Sequence, residues 1–159
     1  MAYNIVSPGL AGFQGIAISD TVQNHALGTI VQANDPTYGA GEFIYLKGVA
    51  STAIGSAAVY NNSAGTTTLT VAASRGPVGI SMSANVASQY GWYQISGVAS
   101  AVFAAAAVVE TVLYATATGG SVDDAVVAGS QISGAKVAAT VAGAGLGLVQ
   151  LNRASMNGA

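Results

Sequence analysis

Charge is nearly missing from this chain, yet no part of it reads as a helix built to cross a bilayer. Four Lys/Arg and six Asp/Glu serve 159 residues, whereas an ordinary soluble domain is about a quarter charged. Charges keep such domains soluble and apart from their neighbours. Much of this surface must therefore be Ser, Thr, Asn, Gln, Gly and Ala. The most membrane-like segment, Ile95 to Val109 (ISGVASAVFAAAAVV), is followed by Glu110 and is shorter than the ~20 apolar residues a spanning helix needs. No membrane partner is expected. A surface of this kind suits a protein that lies against identical copies or on a larger particle, which points to structural work.

The local texture is β. Phe43-Ile44-Tyr45-Leu46 is a short β-prone run closed by Lys47-Gly48, and Ala57-Ala58-Val59-Tyr60 runs into the turn formers Asn61-Asn62-Ser63-Ala64-Gly65. Thr66 to Val71 is β-branched at most positions. Pro77 to Ser83 alternates Val78, Ile80 and Met82 with Gly79, Ser81 and Ser83, which places the large apolar groups on one strand face. Gly28 to Ala33, Trp92 to Ile95, Thr111 to Tyr114, Lys136 to Thr140 and Leu146 to Leu151 complete the candidate strands. Ala101 to Tyr114 is rich in Ala, but its valines and flanking glycines favour an extended or irregular stretch leading into the strand at Thr111.

Short strands at this spacing predict an all-β fold, a small β-barrel or β-sandwich. Residues 1–25, with the breaker-rich Ser7 to Gly15, read as an N-terminal arm or extended lead-in. Residues 26–153 read as the β domain and 154–159 as a flexible tail. A weak repeat relates Tyr45-Leu46-Lys47-Gly48-Val49-Ala50-Ser51 to Gln94-Ile95-Ser96-Gly97-Val98-Ala99-Ser100. It suggests two related β units, about 26–90 and 91–153, sharing one body.

Few residues invite chemistry. The chain has no cysteine, which excludes a thiolate metal site and a cysteine nucleophile. The single histidine, His25, lies near Asp20 in sequence, but no G-x-S-x-G elbow accompanies it and a Ser-His-Asp relay is not signalled. Asp123-Asp124 reads as a solvated turn, since no acidic loop with calcium-site spacing surrounds it. Asp35 and Glu42 flank a Gly-rich turn carrying Tyr38, and Gly143-Ala144-Gly145-Leu146-Gly147 lacks the lysine of a phosphate loop. No catalytic residue, metal or cofactor is expected. Net charge is −2, and Lys47, Arg75, Lys136 and Arg153 are scattered, so no nucleic-acid partner is expected either. Leu10 and Phe13 on the arm, Tyr38, and the adjacent Trp92 and Tyr93 are the interface candidates. Alternation along a strand would send one of the last two inward and the other to a surface.

The runs Ala26 to Val31, Asn34 to Gly39, Gly41 to Ala50 and Ser83 to Gln94 resemble small structural proteins of tailed bacteriophages, as do Val126 to Gly129 and Gly147 to Arg153. The likeness is to the capsid decoration, or cement, group. It implies a β protein, often a homotrimer, on the capsid exterior of the virion, clamping neighbouring subunits of the major capsid protein. It implies no catalytic residues. The competing expectation is a trimeric tail or fibre component whose exposed aromatics bind a host-surface glycan.

Overall fold

The computed structural model describes residues 14–158 together with the backbone of Asn4–Ile5. Twelve strands follow one another: β1 (Asn4–Ile5), β2 (Ser19–Asp20), β3 (Ile30–Asp35), β4 (Gly39–Lys47), β5 (Ala57–Tyr60), β6 (Thr67–Leu69), β7 (Arg75–Ser81), β8 (Tyr90–Phe103), β9 (Val112–Ala115), β10 (Val122–Asp123), β11 (Gln131–Val137) and β12 (Gly145–Asn157). The all-β expectation holds. No helix occurs among the described residues, and Ala104 to Thr111 is irregular, bridged only by Ala107 to Val141.

The strands join in one mixed sheet, ordered β1-β3-β4-β8-β10-β9-β11-β12-β7-β5-β6. Additional pairings of β8 with β12 and with β7 turn part of it into a ring through β8, β10, β9, β11 and β12. The long strand β8 makes this possible. Its first half, Tyr90 to Ser96, pairs with β4, and its second half, Ser96 to Phe103, pairs with β12. The exchange of partners falls at Gly97, where φ is +94° and an added Cβ would lie 2.5 Å from the Ala40 carbonyl oxygen. Only glycine meets both conditions without strain. The division suggested at 90/91 thus falls at the start of a strand that pairs on both sides of it.

Three apolar clusters result among the described residues. The largest gathers Phe103, Val122, Leu113, Ile132, Val149 and Met156 from the ring, with Val78 and Ile80 of β7. In the β4–β8 ladder, Ile44 lies opposite Tyr93 and Tyr45 opposite Trp92. Ile44, Leu46, Tyr93 and Ile95 form one cluster, while Phe43, Tyr45 and Trp92, with Val31, form another. The sheet is therefore covered on both faces here. That explains why Phe43 to Leu46 is apolar without alternation.

The C-terminal tail expected from residue 154 is corrected. β12 continues to Asn157, pairs with β7 through Ser155, Met156 and Asn157, and buries Ala154 and Met156. Two neighbouring strands satisfy its backbone, so it does not fray. The strand expected from Lys136 instead begins at Gln131 and ends at Val137. A register shift between Ser133 and Ala135 lets it run through Gly134, a residue that reads as a breaker in isolation.

Candidate interaction surfaces

A connected cluster of polar and aromatic groups lies where residues 14–28 cross the Tyr45–Trp92 face. His25 meets Tyr45 edge-on at 5.0 Å between ring centroids and lies 5.6 Å from Trp92. Tyr45 in turn meets Trp92 edge-on at 5.1 Å and stacks with Tyr90 at 6.5 Å. Such offset and edge-to-face contacts suit the ring quadrupoles.

Gln14 ties this layer down. Its carbonyl accepts from Trp92 Nε1 at 3.1 Å, and its backbone N–H donates to His25 Nε2 at 3.3 Å. Its side-chain Oε1 accepts from the Tyr45 hydroxyl at 3.3 Å, and its Nε2 donates to the Ile18 carbonyl at 2.6 Å. The Tyr45 oxygen also accepts from the Asn24 backbone at 3.2 Å. Burial pushes the Tyr45 phenol above its usual range, an effect that the Asn24 bond partly offsets and the Asp20 carboxylate reinforces. His25 thus serves as an acceptor and a packing surface. Residues 14–25, read as lead-in, are joined to the body by these bonds and by buried Ile16.

Leu10 and Phe13 lie outside the described residues. Tyr38 is half-buried in the β3–β4 turn, whose shape is set by Asp35: its Oδ1 accepts from the N–H groups of Thr37 at 2.8 Å and Tyr38 at 3.0 Å. Trp92 and Tyr93 do alternate across the strand, but neither reaches a surface; both are fully buried. The expectation that one would face outward is corrected by the second layer on each side. Around Tyr93, Asn85 Nδ2 donates to the phenol oxygen at 3.3 Å. Burial pushes that phenol up, against the hydrogen bonds of Thr67, Asn85 and Thr52.

The acidic side chains are spent on local structure. Glu42 pairs with Arg153 through two hydrogen bonds of 3.1 Å, and Glu110 pairs with Lys136. Asp20 accepts from Asn24, and Asp123 accepts from the next backbone N–H. Asp124 accepts from the Val108 N–H at 2.9 Å and, at 3.4 Å, from Thr111 Oγ1. Asp123-Asp124 is therefore partly strand and partly a loop fastener. No group of three or more metal-ligating side chains converges among the described residues.

Large apolar side chains stand in the solvent instead. Leu146 is 60% exposed and Ile54 55%. Leu146 lies over Gly55, the residue after Ile54, for an added Cβ there would lie 2.7 Å from Leu146 Cδ2. Val108 and Val109 on one segment, and Val126 (80% exposed) and Val127 just beyond Asp124 on the other, flank the fastening that Asp124 makes. Composition foretold a charge-poor surface but not these positions. No family model, curated protein or solved structure matches the chain.

Proposed function

We propose that this protein is a structural virion component that binds the outside of a bacteriophage capsid and clamps neighbouring major-capsid subunits, working as a homotrimer. The observation that carries this reading is the set of exposed valines around Asp124, with Ile54 and Leu146, on a surface nearly without charge. Apolar groups left in water favour burial against a partner. Few ions then need to be stripped of water when the contact closes. A closed cyclic assembly consumes part of such a surface, and the shell consumes the rest. Binding repeated across many subunits stabilises the assembled shell by mass action.

Particles lacking the protein should assemble with normal shape but release DNA at lower temperature. Purified protein should restore resistance and saturate at a fixed number of copies per shell. The double variant V108D/V126D should fold normally, because both side chains are exposed, yet fail to decorate. Normal decoration by that variant would remove the valine surface from the argument. Unchanged heat tolerance together with defective adsorption to cells would assign the protein to the tail instead.

A further inference from the structure

We propose that the cleft between the β5–β6 turn and the start of β7 binds a uronic-acid saccharide, with Arg75 holding the carboxylate. The cleft is open to solvent, offers about 490 Å³ and is lined in part by Tyr60, Asn61, Asn62, Thr66, Thr68 and Arg75. Small-molecule sites span roughly 300–1,000 Å³. Among the described residues, no carboxylate lines it. Lys136 and Arg153 are paired with Glu110 and Glu42, whereas Arg75 has no acidic partner among the described residues. An exposed guanidinium with no carboxylate paired to it among the described residues is ready for bidentate recognition of one.

The remaining lining explains why the ligand is a sugar acid. Asn61 Oδ1 accepts from the N–H groups of Ser63 at 2.8 Å and Ala64 at 3.0 Å. Those bonds orient its amide and leave the two Nδ2 hydrogens to donate. Burial raises the Tyr60 phenol, with Arg153 pulling it partly back, so Tyr60 is a neutral donor at neutral pH. Together with the Asn62 amide and two threonine hydroxyls, these groups both donate and accept. Ring hydroxyls of a saccharide match that set. A small dianion would call for a second cation, and an acidic peptide would leave most of the hydroxyls unused.

The test is titration of the isotopically labelled full chain with trigalacturonic acid, maltotriose and sulfate, followed by amide chemical shifts. Trigalacturonic acid should shift Asn61, Asn62, Thr66, Thr68 and Arg75, maltotriose should shift them weakly, and sulfate should not compete. Arg75→Gln should bind roughly ten- to hundredfold more weakly, and Arg75→Lys should fall between. Absence of shifts at those residues, equal binding by Arg75→Gln, or displacement by sulfate at equal concentration would each overturn the proposal. The mapping on the parent chain decides the matter even if a variant folds poorly.

Discussion

Trp92→Ala should destabilise the protein without altering its exposed apolar positions. The indole is fully buried between Tyr45 and His25, and truncating a buried Trp costs about 3–5 kcal/mol. Part of that cost is the bond from Nε1 to the Gln14 carbonyl. Trp92→Phe keeps much of the ring contact but leaves this carbonyl without its donor, at about 1–3 kcal/mol. For a chain of this size each kcal/mol moves the melting temperature by about 2–4 °C. The alanine variant should therefore melt about 6–20 °C lower and the phenylalanine variant about 2–12 °C lower. Thermal unfolding followed by far-ultraviolet circular dichroism measures both. Because Trp92 is the only tryptophan, parent fluorescence offers a second check: its emission should be blue-shifted and move red on unfolding. A melting temperature within about 2 °C of the parent for Trp92→Ala, or native emission typical of a solvated indole, would refute the burial argument. On the proposed capsid-binding function, Trp92→Ala should still decorate particles below its melting temperature.

Four further outcomes follow from particular contacts. Tyr45, Tyr60 and Tyr93 are all raised above the ordinary value of 10.0; the folded state therefore holds its protons longer, so this stability is fully present below pH 10.0 and is lost as pH rises through the folded values. Urea titrations across that range should show a decline that is shallower in Tyr93→Phe. Ending the chain after Arg153 should prevent stable folding, judged by loss of the cooperative melt, because Ala154 and Met156 belong to the largest cluster. Gly48→Ala should destabilise by about 1–3 kcal/mol or more in chemical denaturation, since the added Cβ would lie 1.9 Å from the Asn85 carbonyl oxygen. Glu110→Ala should change the melting free energy by less than about 1 kcal/mol, because its ion pair with Lys136 is exposed.

Local preferences determined the β character and most strand positions. Ala57 to Tyr60 is a strand with those bounds, and Val78 and Ile80 alternate into the core as their spacing requires. These are short-range properties: side-chain branching, turn formers and a period of two act within a few residues. Which faces are covered is different, because it depends on segments far apart in the chain. Gly79 and Ser81 are buried as well as Val78 and Ile80, since Gly79 lies against the Tyr93 and Ile95 side chains and Ser81 donates to the Ala53 carbonyl. Trp92 and Tyr93 both go inside for a related reason: residues 14–28 cover one face, and Asn85 and Ala58 help cover the other. Nothing in the sequence around Gln14 marks it as the centre of that contact, for its hydrogen bonds reach Ile18, Asn24, His25, Tyr45, Tyr90 and Trp92. Likewise, Met156 looks like the end of a fraying tail until β7 and β11 are placed on either side of β12. Propensity selects the elements, but a strand's second face and its free edge are assigned only when distant strands arrive to fill them.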